Sequence, residues 1–118
     1  MIKKKILTLP IELYQREFYL SIYMALLSAE KGYQVIIGEQ NDVAFKNIKE
    51  GIFFHKDHAN WSENLYRKAK KRRMKVVSLD VEGLIYDDSN IYINNRVSKW
   101  VVENVDALFL WGENQRRL

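Results

Sequence analysis

Two carboxylates stand directly after an apolar run in the middle of this 118-residue chain. Asp80 and Glu82 follow the segment 74–79, and Gly83 comes next. That segment is short and rich in apolar residues, which predicts a buried strand of a parallel sheet. Ligands of open α/β sheets bind at the carboxyl ends of the strands, and glycine allows the backbone to approach them closely. The acids are therefore candidate site residues, although either could instead cap a turn or a helix.

The elements that must position these residues alternate regularly along the sequence. Short apolar runs predict five strands, at 5–9, 33–37, 51–54, 74–79 and 107–111. Periodic apolar residues predict helices at 14–31, 60–73 and 91–104, with weaker helical character at 42–49. Pro10 is expected to end the first strand because it lacks a backbone donor. The helix at 60–73 should turn Trp61, Leu65 and Ala69 inward, whereas the helix at 14–31 has apolar residues on more than one side.

This alternation predicts a single α/β domain, a Rossmann-like three-layer α/β/α sandwich with a five-stranded parallel sheet. We expect the strand order 3-2-1-4-5, which makes the first and fourth strands neighbours. Glu12, at the end of the first strand, would then lie near Asp80 and Glu82. The unusual residues at predicted carboxyl ends of strands are Glu12, Gly38, Lys56, Asp80, Glu82 and Gly112. Their concentration at one edge indicates a site more strongly than any one of them does.

Several functional classes are disfavoured by composition. The chain has no cysteine, which excludes disulfides and thiolate metal sites and agrees with a cytoplasmic location. No apolar run reaches the roughly 18 residues of a membrane span. No glycine-rich loop follows the first strand, so a nucleotide fingerprint is missing and no cofactor is expected. His55 and His58 are spaced for one helical face, but without a third ligand they predict no metal site.

The net charge of +4 comes from one basic segment, which holds seven of the 19 basic residues within nine positions: Arg67, Lys68, Lys70, Lys71, Arg72, Arg73 and Lys75. It could contact anionic lipid headgroups, placing the protein peripherally at an inner membrane, or nucleic acid, which is the less favoured partner. The simpler interpretation is a solvated helix whose cationic last turns complement the helix dipole.

A group of short motifs resembles a bacterial family. They are Pro10-x-Glu12 with Arg16-Glu17, 29–33 with Gly38, Gly51-Ile52 with Lys56, 80–84, Tyr92 with Arg96, and 111–113. In order and spacing they are similar to surface carbohydrate biosynthesis proteins, which resemble glycosyltransferases of the two-Rossmann-domain class, including Kdo-type sugar transferases. One departure is Val81, which stands where that family usually has an acid.

The resemblance implies sugar transfer from a nucleotide sugar to a surface glycan. In such transferases the amino-terminal domain commonly holds the glycan acceptor, and a carboxyl-terminal domain holds most of the donor. The chain is accordingly expected to be the amino-terminal half of a longer enzyme, inactive alone. A stand-alone, non-enzymatic binding or regulatory module is the alternative, and a nucleic-acid binder is a third hypothesis.

Sugar transfer constrains the roles of the candidate residues. A carboxylate must accept the proton of the acceptor hydroxyl, and Asp80 or Glu82 could do so. Arg16 and Lys56 could bind an anionic group, and Trp111 with Gly112 could form a stacking platform for a sugar. Structural alternatives stay open: Arg16 could pair with Glu12 or Glu17, Arg96 with Asp80, and Trp111 could simply be buried. The predicted binding residues are Glu12, Arg16, Lys56, Gly83, Arg96, Trp111 and Gly112.

Overall fold

A computed structural model describes residues 4–81 and 88–117 of the chain. The strands are β1 (Lys5–Ile11), β2 (Tyr33–Glu39), β3 (Ile52–His55), β4 (Lys75–Leu79) and β5 (Ala107–Phe109). The α-helices are α1 (Tyr14–Glu30), α2 (Glu63–Lys71), α3 (Ser89–Arg96), α4 (Lys99–Asn104) and α5 (Glu113–Arg116). Short 3₁₀ segments occupy Val43–Asn47 and Asn60–Ser62. No helix in the described ranges is long and apolar enough to cross a membrane.

The five strands form one parallel sheet in the order β2-β1-β3-β4-β5, which confirms the α/β class. The predicted order 3-2-1-4-5 is wrong, because β3 lies between β1 and β4. Phe53 and His55 of β3 are buried, whereas β2 contains no fully buried residue and so suits the edge of the sheet. The order found is the other common arrangement of wound α/β sheets, and its reversal point lies between β1 and β3.

β1 continues through Pro10 to Ile11, so the predicted end of this strand at Leu9 is too early. Pro10 lies opposite Gly38 in the ladder with β2. The pairing of β1 with β3 is at Leu7 and Thr8, so the missing N–H of Pro10 falls beyond that ladder. The longer strand carries Glu12 to the carboxyl edge of the sheet.

The two faces of the sheet are covered differently. On one face, Phe53 and Val76 form the core with Tyr66, Ala69 and Val101 from α2 and α4. On the other face, α1 packs against β1 and β2. Ala69 is buried and Leu65 half-buried as expected, but the prediction for Trp61 is wrong.

Trp61 is 60% exposed, because the predicted helix begins with a separate 3₁₀ turn that directs this side chain outward. The expected single helix at 91–104 is also two helices. Val97 between them is extended and forms an isolated bridge with His58, and the Ser98 N–H donates to the His58 carbonyl at 2.7 Å. This pairing outside the sheet ends α3, and Ser98 then caps α4.

Candidate functional site at the carboxyl edge of the sheet

A polar cavity of ≈ 210 Å³ opens at the carboxyl ends of β1, β3 and β4. Its lining residues are Glu12, Arg16, Lys56, Asp57, Trp61, Val81 and Arg96. Glu12 was predicted to lie near Asp80 and Glu82; in the structure it shares the cavity with Val81, the residue after Asp80, although β3 lies between their strands. The Val81 N–H donates to the Lys56 carbonyl at 2.9 Å and joins the two loops. Glu82 and Gly83 lie outside the described residues.

Lys56 organises the acidic side of the cavity. Its Nζ lies 2.6 Å from Glu12 Oε2 and 2.6 Å from Glu17 Oε1. The Glu12 backbone N–H also donates to Glu17 Oε2 at 2.9 Å. Burial lowers the pKa of Lys56, but its hydrogen bonds to Glu12 and Glu17 outweigh burial and raise that pKa. Lys56 is thus a fixed cation that holds Glu12, the more exposed of these two carboxylates, at the cavity.

Asp80 is fully buried and its carboxylate is already bound. Arg96 Nη2 donates to Asp80 Oδ1 and the Tyr92 hydroxyl to Oδ2, both at 3.0 Å. Burial raises the pKa of Tyr92 to about 12, so its hydroxyl stays a donor at neutral pH. The Arg96–Asp80 pair considered as a structural alternative is confirmed. This geometry suits Asp80 to fixing Arg96 rather than to accepting a proton from a substrate in the cavity.

Trp111 contacts this network, and Gly112 follows Trp111 as the residue before α5. The Trp111 indole N–H donates to the Asp80 carbonyl, and its backbone N–H donates to Gln115 Oε1 at 2.8 Å. Gln115 Nε2 in turn donates to the Tyr92 hydroxyl. Neither Trp111 nor Gly112 contributes to the cavity lining as the described residues define it. Trp111 is still 46% exposed, so the simple burial considered for it is wrong.

Trp61 and Asp57 are cavity residues that the sequence analysis missed as site candidates. Trp61 lies beside the site because a 3₁₀ turn starts five residues after β3, and Arg96 lies 5.6 Å from its ring centroid. Their position in the sequence could have identified both as site candidates, because both follow the carboxyl end of β3 within a few residues. Trp61 was overlooked because the apolar periodicity of 60–73 predicted that it faces the core from a helix.

An apolar groove of ≈ 290 Å³ continues from the polar cavity between α1 and the sheet. Leu9, Phe54 and Leu79 form its floor, and Leu20 and Met24 form its wall on α1. Arg16, Lys56 and Val81 border both spaces. A ligand with a polar and an apolar part could therefore span the two.

His55 and His58 are both buried and have separate partners. His55 Nε2 lies 3.1 Å from Ser62 Oγ, and His58 Nε2 lies 3.2 Å from the Tyr92 hydroxyl. Burial lowers the pKa of each histidine. Among the described residues no group of three metal-ligating side chains is assembled.

The basic segment is partly engaged within the protein. Arg67 pairs with Glu63 at 2.7 Å, and its guanidinium lies 4.0 Å from the centroid of the Trp100 ring. Lys70 and Lys75 both pair with one residue, Asp106, and Arg72 donates to the Phe45 carbonyl at 2.7 Å. Four of the seven cations thus have contacts within the protein, and the partner of the segment stays a prediction.

Comparison of the chain with protein-family models, with curated proteins and with solved structures found no match. Function is accordingly argued from the cavity. Its cations can bind carboxylate or phosphate oxygens, its carboxylates can accept hydrogen bonds from hydroxyls, and its exposed indole can stack on an apolar ring face.

Proposed function

We propose that the chain is the acceptor-side domain of a glycosyltransferase that transfers a sugar from a nucleotide sugar during surface polysaccharide synthesis. In this proposal the polar cavity holds the acceptor sugar, and the nucleotide is held chiefly by a second domain. The observation that carries the proposal is the meeting of Glu12, Lys56, Arg96 and an exposed Trp61 around one cavity.

Three residues of the cavity have counterparts on an acidic sugar. Trp61 offers a ring face for the C–H side of a pyranose, which is how indoles contact sugars. Arg16 and Arg96 can bind a carboxylate or phosphate substituent, and arginine does so with paired N–H donors. The motifs similar to surface carbohydrate biosynthesis proteins support the same substrate class.

The proton of the attacking hydroxyl needs an acceptor at the cavity. Glu12 fits this role better than Asp80, because 44% of its side chain is exposed while that of Asp80 is enclosed. Lys56 holds Glu12 in place through a contact of 2.6 Å. Glu82, the other predicted base, stays a candidate in the segment outside the described residues.

Binding of simple sugars to the purified chain tests the proposal. Titration calorimetry with glucuronic acid should give a dissociation constant in the millimolar range, because a single sugar ring fills only part of the site. Glucose should bind at least about fivefold more weakly, since it lacks the carboxylate that Arg16 and Arg96 would bind, and a charge-assisted hydrogen bond contributes 1 kcal/mol or more.

Arg16→Gln should remove most of the preference for glucuronic acid over glucose. The matched control is Lys99→Gln, since Lys99 is 88% exposed on α4 and does not line the cavity. Equal binding of the two sugars by the unmodified chain, or the same loss in both variants, would contradict the proposal.

A further inference from the structure

The outer side of α1 exposes an apolar stripe. α1 has no fully buried residue, and of its large apolar residues only Ile22 and Met24 are half-buried. The others are exposed, among them Tyr19 at 85%, Tyr23 at 62% and Leu26 at 62%. A surface helix usually turns most of its large apolar residues toward the core, so this exposed set is unusual.

The exposed residues recur with the spacing of a helix–helix seam. Successive separations of three and four place them on one side of a helix with 3.6 residues per turn. They are Arg16, Tyr19, Leu20, Tyr23, Leu26, Leu27 and Glu30, which we call the α1 stripe. The whole segment of α1 from Phe18 to Ala29 contains no charged residue. Such a seam is suited to a second helix rather than to solvent.

We propose that the α1 stripe is the interface of a homodimer, in which α1 packs antiparallel against α1 of a second copy around a twofold axis at Tyr23. Charge favours a second copy in this orientation. The stripe carries Arg16 at one end and Glu30 at the other, each seven residues from Tyr23. An antiparallel pair brings Arg16 opposite Glu30 twice, whereas a parallel pair places like charges together.

The exposed area agrees with a dimer interface. At about 200 Å² for a large side chain, the exposed fractions of the five apolar stripe residues amount to roughly 600 Å². A standard interface takes about 800 Å² from each partner, and the charged ends with their neighbours can supply the rest. Arg16 belongs both to the stripe and to the lining of the polar cavity, whereas the other lining residues of the cavity, such as Trp61 and Val81, lie outside the stripe.

Sedimentation equilibrium of the full chain tests this proposal. We expect a concentration-dependent dimer, and Tyr23→Glu should weaken it at least about tenfold by placing two carboxylates at the axis. Val43→Glu is the control, since Val43 is 68% exposed but lies outside α1. A chain that stays monomeric at all concentrations, or a dimer that Tyr23→Glu leaves intact, would overturn the proposal.

Two further variants define the orientation. Glu30→Arg should weaken the dimer, and the double change Arg16→Glu with Glu30→Arg should restore it. The chain has no cysteine, so a disulfide formed by a single introduced cysteine shows that this position faces the same position of the second copy. Tyr23→Cys should form a disulfide between copies under mild oxidation, whereas Glu30→Cys should not. In a parallel pair both positions would face their own copy, so efficient cross-linking through Glu30→Cys would overturn the antiparallel arrangement.

Discussion

At the scale of residues, the site depends on two ion-pair groups with different roles. Lys56 holds two carboxylates at the cavity, and the enclosed Asp80 holds Arg96 in the cavity lining. The sequence identified all of these except Glu17 as candidates: Glu12, Lys56 and Asp80 because each follows a strand, and Arg96 through the resemblance of its motif to the carbohydrate family. The sequence could not show which of these residues are enclosed supports and which are exposed at the cavity, since this depends on the burial of each side chain in the fold. Asp80 and Glu12 are both acids after strands, yet one is enclosed and the other is open.

Lys56→Met should lower the free energy of unfolding by about 1–2 kcal/mol at pH 7, because it leaves Glu12 and Glu17 close together without their shared cation. The raised pKa of Lys56 means that its stabilisation is fully present below the unfolded value of 10.5 and is lost as pH rises through the folded pKa. Urea denaturation at pH 7 measures the loss.

Lys99→Met provides the comparison for this change. Lys99 is 88% exposed and lies 3.9 Å from Glu103, so its removal should alter stability by less than about 0.5 kcal/mol. Equal losses in the two variants would show that Lys56 contributes no more than an ordinary surface lysine.

His58 should make the fold sensitive to acid. Burial lowers its pKa from 6.5, so the unfolded chain takes up a proton between 6.5 and the lower folded value while the folded chain does not. Stability is therefore complete above pH 6.5 and falls as pH drops below it, by up to about 1.4 kcal/mol per pH unit for one histidine. His58→Gln should reduce the stability difference between pH 7 and pH 5, measured by urea denaturation. Parallel curves for the two proteins would exclude this role for His58.

At the scale of elements, strand and helix positions were largely predictable, and the errors have physical causes. The strand β1 continued through Pro10 because the missing donor lies beyond its ladder with β3. The expected helix at 91–104 was divided because Val97 pairs with His58, which lies far away in the sequence. Local periodicity reports neither effect, since each depends on a contact from another element.

Two glycines allow the strain at element ends to be tested. Gly32 and Gly51 have φ of +85° and +86°. An added Cβ at Gly51 would lie 2.7 Å from the Ile6 carbonyl oxygen, whereas at Gly32 no atom of the described residues would lie within 4 Å of it. Gly32→Ala should lower stability by about 1 kcal/mol through backbone strain alone. Gly51→Ala should lower it by about 3 kcal/mol or more, because β1 must also move. Similar losses in thermal or urea unfolding would contradict this close packing.

At the scale of the whole molecule, the sequence predicted the class of the fold but not the strand order. Alternating strands and helices require a parallel sheet, whereas the choice between the two common orders depends on which strand is buried on both sides. Phe53 and His55 place β3 inside the sheet. The wrong strand order did not affect the predicted edge of the site, because every strand of a parallel sheet presents its carboxyl end at the same edge. The site was therefore predictable in position, but Trp61 was not.

The central claim is that an acidic sugar binds in the polar cavity at this edge, and the three tryptophans can locate it. Trp61 lines the cavity, whereas Trp100 is not among its lining residues and lies against Arg67. In a titration with glucuronic acid followed by ¹H–¹⁵N NMR, the Trp61 indole signal should shift to saturation while the Trp100 signal stays in place. A Trp61 signal that does not move at sugar concentrations where calorimetry shows saturation would contradict the account.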